Sequence, residues 1–367
     1  MDALVIGGTG PTGHFIVNGL RERGYHVTML HTGRHEIPEI PGDVVHIHTD
    51  PWDESCLREV FAANRFALCV ATYGRLRRIA EVSAGRVGRF LSVGGVAAYR
   101  GFMSPEIFEP HGLPVPTAED AALSSSEAED SKGVRVVHTE NVVFEHHPEA
   151  THFRYPYVYG PYQLSPREWC IVRRILDGRP HIVLPEDGLT LQAYGYAGNL
   201  AHALLLAVDQ PQASAGVIYN CADLECLTLR QVVEVIASEL GHEWEIVSMP
   251  NALAVPARPM LALPLATHRV LDLHRLRRDL GYQDAVPPRE ALARTARWLV
   301  ENRPEPGGPE ETALTDPFDY AAEDALISAW KRLLSELPEI TWRSEPGYTR
   351  SYSGPGGRPR SSPEFEH

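Results

Sequence analysis

The chain has 367 residues, enough for one large domain or two interleaved ones. Hydrophobic residues make up 43% and charged residues 22%, values that exclude a disordered chain. A formal charge of −14 opposes nucleic-acid and anionic-membrane partners, and no apolar run nears the roughly 20 residues that cross a bilayer.

Residues 3–7 read as a strand that starts at once, which leaves no room for a basic n-region and an apolar h-region. The five cysteines (Cys56, Cys69, Cys170, Cys221, Cys226) are odd in number and show no CxxC spacing, against a disulfide framework or a zinc site. A reducing cytoplasm is the expected location. Residues 13–23 read as a helix ending at Gly24, 26–30 and 44–48 as strands, and 54–63 as a helix with Asp53 at its N-cap. Strands at 66–71 and 89–93 follow. This alternation implies βαβ units and a doubly wound parallel sheet, an α/β fold.

Beyond Pro161, residues 168–177, 200–208, 229–240 and 289–301 have helical character, and 217–220 reads as a strand. Residues 302–317 read as a linker rich in proline, glycine and glutamate. Asp316 and Pro317 then offer an N-cap and first position for a C-terminal helix over 318–337, with Leu326, Ile327, Trp330, Leu333, Leu334 and Leu337 along one face. The tail 344–367 is rich in Ser, Gly, Pro and Arg and is expected to be disordered.

The strongest feature is Gly7-Gly8-Thr9-Gly10-Pro11-Thr12-Gly13, after the first strand and before the first helix. Gly7 permits the tight turn, Gly10 the approach of a pyrophosphate, and Gly13 the packing of helix on strand. Unpaired amides at the helix start face the phosphates, which predicts dinucleotide binding. At the end of the second strand, where a carboxylate would hold the ribose, stand His31-Thr32-Gly33-Arg34. Arg34 suits a 2′-phosphate, so NADP is expected over NAD, with NAD left open.

These residues resemble the extended short-chain dehydrogenase/reductases, the NAD-dependent epimerase/dehydratase family. The spacing of Gly7, Gly10 and Gly13 is that family's form, and Asp50 stands where it places an adenine-contacting aspartate. Residues 153–161, including Arg154, Tyr155, Pro156, Tyr157 and Tyr159-Gly160-Pro161, resemble the segment that passes the nicotinamide. The resemblance implies a Rossmann domain over 1–160, continued by about 194–222. It also implies a smaller interleaved substrate domain from 161–193 and about 223–301, and a homodimer. With Arg34 from the reading above, the expected cofactor contacts are Gly7, Gly10, Pro11, Thr12, Gly13, Arg34, Asp50 and Pro156, the last two implied by the resemblance.

The catalytic positions depart from the family. Aligned on Glu140 and Gly133, Lys132 stands at the tyrosine of Tyr-x-x-x-Lys and Val136 at its lysine, and Gly95 stands at the serine. The remaining acid/base candidates are Lys132, Tyr155 and Tyr157, beside Tyr99 and His138. His46-Ile47-His48 reads as alternate residues on a buried strand, and no metal is assigned. Residues 101–131, with four prolines, form a lid candidate. Trp169, Arg173 and Arg174 fit a pocket wall or a packed helix equally.

The expected function is an NAD(P)-binding oxidoreductase or epimerase-type enzyme, acting on a small hydroxy or carbonyl substrate by a non-standard mechanism. The alternatives are a redox-neutral lyase, dehydratase or isomerase on the same scaffold, and a non-catalytic cofactor-sensing protein.

Overall fold

Ala3, Leu4, Val5 and Ile6 are all fully buried, so β1 (Asp2–Ile6) lies inside a sheet covered on both faces. The computed structural model describes residues 1–72, 74–261, 267–344 and 346. After β1 come α1 (Gly13–Glu22), β2 (His26–His31), β3 (Val45–His48), α2 (Glu54–Ala63), β4 (Leu68–Ala71), α3 (Leu76–Ser83) and β5 (Phe90–Gly95). Then follow α4 (Glu127–His146), β6 (Thr151–Tyr155), β7 (Tyr157–Tyr159), α5 (Glu168–Leu176), β8 (His181–Pro185), β9 (Tyr194–Tyr196), α6 (Ala197–Asp209) and α7 (Pro211–Ser214). The last are β10 (Ile218–Asn220), α8 (Leu229–Glu239), β11 (Glu245–Met249), α9 (His274–Leu280), α10 (Pro288–Glu301), α11 (Pro309–Leu314) and α12 (Tyr320–Ser335).

Seven parallel strands form the central sheet in the order β10-β6-β5-β4-β1-β2-β3. The chain leaves β1 toward β2 and β3 and returns on the other side at β4, a switch point that opens a crevice at the carboxyl ends. On one face Ile16, Val17 and Leu20 of α1 meet Leu204 of α6 and Leu276 of α9. On the other, Leu57 and Phe61 of α2, Ile79 of α3 and Val143 of α4 cover Leu4 and Ile6. The doubly wound α/β sheet read from the alternation is the architecture observed.

Asp53 caps α2 as expected, its side chain accepting from the amides of Ser55 and Cys56. Residues 181–185 and 245–249, short runs with Ile-Val pairs that the sequence reading left unassigned, form the parallel pair β8–β11. The 101–126 insert is strapped down rather than free. Thr117 N–H donates to the Val270 carbonyl (2.8 Å), and Asp272 N–H donates to the Thr117 carbonyl (2.9 Å).

Residues 302–317 are a correction to the linker expectation. They contain α11 and dock on α5 through three side chains. The Glu311 carboxylate accepts from the Trp169 indole (2.9 Å) and pairs with Arg173 (2.5 Å), and the buried Arg174 and Asp316 pair at 2.6 Å. Local composition signals a turn-rich stretch, while two acids reaching basic partners far back in sequence decide its packing. Trp169, Arg173 and Arg174 are thereby packing residues. Asp316 is spent on this ion pair, and Asp319 caps the final helix by accepting from the Ala322 amide (3.1 Å).

The chain forms two compact units, Met1–Phe318 and the segment from Asp319 onward. The second contains α12, at the place expected for the C-terminal helix. Apart from residues 344 and 346, the tail lies outside the described residues.

Candidate cofactor cleft and active site

The crevice at the switch point begins at the glycine turn. Gly7 has φ +91°, a left-handed conformation, and its amide donates to the Leu30 carbonyl. A Cβ on Gly13 would stand 2.2 Å from the Gly8 carbonyl oxygen, so only glycine lets α1 start this close to the strand. The Thr72 hydroxyl, not foreseen in the sequence, braces the turn by donating to the carbonyls of Ile6 (3.1 Å) and Gly7 (3.3 Å).

No side chain caps α1: Thr12 at its N-cap makes no capping bond and the first turn holds no acid. The helix start is left with its positive dipole end uncovered, an arrangement that fits a pyrophosphate. A cleft of about 1060 Å³ runs outward from this turn. One wall carries Thr32, Arg34 and Asp50, and the other carries Tyr162, Trp298, Asn302 and Arg303. Arg34 is exposed and its guanidinium has no hydrogen bond or ion pair among the described residues. The Asp50 carboxylate accepts from the Trp52 amide (2.9 Å), which fixes it at the cleft edge. Gly7, Gly10, Arg34 and Asp50 are thus brought together on one cleft. Pro11 and Thr12 lie in the turn itself, and Pro156 joins β6 to β7 further along the sheet.

The chemical end lies where β5 runs into the turn 96–98 and meets α4. A Cβ on Gly133 would stand 2.7 Å from the Ala97 carbonyl oxygen and 2.2 Å from the Ser124 hydroxyl, so helix and turn are in direct contact. Asp130 breaks helical geometry (φ −155°, ψ 88°), and its side chain caps the helix proper by accepting from the Gly133 amide (2.8 Å). Lys132, exposed, therefore stands in the first turn beside this contact.

Deeper in, Arg154 donates twice to Glu140 (2.8 and 2.7 Å), and His152 joins Glu140 to Ser92. Burial pushes the Glu140 carboxyl up, but the hydrogen bonds from Arg154 and His152 outweigh it and hold it down to about 2. This buried ion pair locks α4 against β6.

Tyr155 and Tyr157, acid/base candidates in the sequence, both have hydroxyls held by backbone carbonyls. Tyr155 lies in the core and donates to the Leu200 carbonyl (3.0 Å). Tyr157 donates to the Ser165 carbonyl (2.7 Å) and accepts from the Arg167 amide (2.8 Å). Burial pushes both phenols well above 10, with Glu168 adding to the effect at Tyr157. Each proton is committed to a backbone carbonyl. Tyr99 likewise donates to the Asn220 side chain (2.6 Å).

Two cations that sequence reasoning missed stand at this end of the fold. Arg269 is 1% exposed and donates through Nε to the Phe102 carbonyl (3.1 Å). Neither of its terminal nitrogens has a partner among the described residues. Burial, with the charge of Arg167 added, lowers Arg269 to about 10. Arg167 lies over the Tyr157 ring (3.8 Å), and one of its terminal nitrogens is also buried without a partner. Together the two side chains leave three buried terminal nitrogens without a partner among the described residues, where each costs desolvation.

Comparison with known proteins accounts for the arrangement. The chain has the fold of the NAD-dependent epimerase/dehydratase family. Residues 133–222 match that family's sequence model. The UDP-glucose 4-epimerase of Thermotoga maritima superposes with a TM-score of 0.65 at 19% identity, over 82% of this chain and 99% of that one. The dTDP-glucose 4,6-dehydratase of Streptomyces venezuelae, solved with NAD, gives 0.61 at 20% identity, over 83% and 98%. Among curated relatives, the uncharacterized protein YbjS of Escherichia coli K12 is 31% identical over 140 residues, 33% of this chain and 42% of its own. The chloroplast stem-loop binding protein of 41 kDa b of Arabidopsis thaliana is 24% identical over 260 residues, 66% of this chain and 65% of its own. The chain thus spans under two thirds of the length of these curated relatives.

The epimerase/dehydratase match covers the helix with Lys132's neighbour Gly133, the Arg154–Pro161 run and β10. Of the solved neighbours, the Streptomyces venezuelae dehydratase holds NAD, and the glycine cradle described above is where a nicotinamide cofactor fits.

Proposed function

We propose that the chain is an NADP-preferring enzyme of the epimerase/dehydratase type that acts on a small hydroxy or carbonyl compound bearing an anionic group. The observation that carries this reading is the uncapped glycine cradle at the switch point, opening into a cleft with Arg34 on its wall. The pyrophosphate fits the turn from Gly7 to Gly13 and the start of α1, and Arg34 takes the 2′-phosphate. A bound nicotinamide supplies hydride exchange.

Arg269 and Arg167 hold the anionic group of the substrate, for which a carboxylate or phosphate satisfies the three unpaired nitrogens. Lys132 remains the one cation at the family tyrosine position. As an ammonium it stabilises the oxyanion that develops on the substrate, an alkoxide in reduction or an enolate in elimination. The charge of −14 keeps nucleic acid outside the proposal, and a homodimer belongs to it.

A redox-neutral reaction is the second reading. It is favoured by Gly95 and Val136, which cannot exchange protons, and by tyrosines whose protons are committed. NADPH absorbance, followed with a panel of nucleotide sugars and small keto acids, separates the two. Net loss of absorbance marks reduction, and turnover with constant absorbance marks redox-neutral chemistry. In either case Lys132→Met lowers kcat at least about tenfold and leaves the cofactor Kd unchanged. Absence of NADPH binding in calorimetry overturns the proposal as a whole.

A further inference from the structure

We propose that His31, His46, His48 and Glu36 form a binding site for one zinc ion at the edge of the central sheet, adjoining the cofactor cleft, whose wall His31 and Glu36 share. The residues come from three segments that sequence order separates. β2 and β3 pair in parallel with Met29 opposite His46 and His31 opposite His48. Alternate residues of a strand share a face, and paired residues of neighbouring strands share it too. The three imidazoles therefore project from one side of the sheet, at its last strand. Here the structure departs from the sequence expectation of a buried strand: β3 is an edge, and the His48 side chain is 51% exposed.

The fourth group arrives by the loop between the two strands. Gly33 turns with φ +72°, and a Cβ there would stand 3.3 Å from the His48 ring, so the loop passes directly over that imidazole. This brings the Glu36 carboxylate to 3.2 Å from His48 Nε2. His31 Nε2 and His46 Nδ1 are 2.9 Å apart. One donor atom from each of the four lies within 4.8 Å of every other.

Three imidazoles and a carboxylate are the ligand types that zinc takes, whereas magnesium and calcium take oxygen alone. Tetrahedral zinc, with bonds of about 2.0–2.1 Å, needs its donors roughly 3.3 Å apart. The nitrogens of buried His31 and half-buried His46, 2.9 Å apart, need to part by only a few tenths of an ångström and form the fixed half of the site. His48 and Glu36, both more than half exposed, are free to rotate inward by the remaining ångström or so. The ion takes the place of the hydrogen that His31 and His46 share, and the long contact from the Gly33 amide to His31 Nδ1 (3.3 Å) opens. Zinc then ties the loop that carries Arg34 to the edge strand.

The test uses the untagged full chain, stripped of metal, and zinc alone as probe. One equivalent of zinc binds in calorimetry and raises Tm, and cobalt(II) in its place gives the intense visible bands of a tetrahedral site. The His46→Ala/His48→Ala variant, whose residues lie outside the cofactor cleft, binds at least about tenfold more weakly and loses the rise in Tm. If that variant does not fold, His48→Gln, at an exposed position, gives the same comparison. No stoichiometric binding by the full chain, or equal binding by the folded variants, overturns the site.

Discussion

Arg34 shows how much one side chain can decide once its backbone is placed. It stands on the cleft wall with no partner among the described residues, so its charge is available to a ligand. A charge-assisted phosphate contact of this kind contributes about 1.5–3 kcal/mol, roughly tenfold to a hundredfold in affinity. Calorimetry is expected to show NADP(H) binding more tightly than NAD(H), with Arg34→Ala erasing the difference and sparing NAD(H). Equal affinities in the unaltered chain remove the 2′-phosphate role. The contrast with Arg154 and Arg174 is instructive. Those guanidiniums are buried against Glu140 and Asp316 and serve the fold, while Arg269 reaches only the Phe102 carbonyl and keeps both terminal nitrogens without a partner among the described residues. Residue type and charge are the same in each case, and only the partner differs.

At the scale of the element, α5 carries an unusual burden at its first residue. Glu168 is buried, one carboxyl oxygen lacks a partner, and desolvation raises its carboxyl to about 7 against the weaker pull of Arg167. Asp223, facing the same small cavity, is likewise raised to about 7 by burial, against hydrogen bonds from Asn199, Tyr196 and Tyr159. An acid with a raised folded pKa binds its proton more tightly in the native state. Its contribution to stability is complete below the ordinary pKa near 4.5 and is lost as pH rises toward 7. Glu140 works in the opposite sense, contributing above its ordinary pKa and losing that contribution as pH falls toward about 2. Lowered histidines titrate in the upper window too, so the informative quantity is a difference between profiles. Glu168→Gln keeps shape and removes the charge. Relative to the unaltered chain it should gain about 1–3 kcal/mol of unfolding free energy between pH 5 and pH 8. Parallel profiles from denaturant titration at the two pH values would falsify the raised carboxyl.

The whole molecule holds its two ends of chemistry on one sheet edge, with the cradle at β1 and the contact of α4 with the turn after β5 two strands away. That frame accommodates the family's usual groups. A side chain on Gly95 would meet only the Tyr155 carbonyl oxygen, at 3.7 Å, so serine fits there without strain. The triple variant Gly95→Ser/Lys132→Tyr/Val136→Lys is therefore expected to fold with an unchanged Tm, within a few degrees. It is also expected to gain alcohol dehydrogenase activity over that of the parent. A folded, cofactor-binding variant without that gain shows that the helix register on Glu140 and Gly133 is misplaced.

By itself the sequence determined the central sheet, because βαβ alternation and a strand of four consecutive apolar residues have one compact solution, covered on both faces. It also determined the cradle, since glycines at 7, 10 and 13 between a strand and a helix are required by backbone geometry that is local. It also shows that no tyrosine is followed four residues later by a lysine, which is a matter of residue identity alone. What tertiary structure decided is everything that depends on partners distant along the chain. Residues 302–317 look like a linker until Glu311 and Asp316 meet the side chains of α5. Tyr155 and Tyr157 look like proton donors until their hydroxyls find the carbonyls of Leu200 and Ser165. Arg269 and the histidines of β2 and β3 carry no local signal, because the absence of a counterion and the convergence of four ligands exist only after the strands have paired.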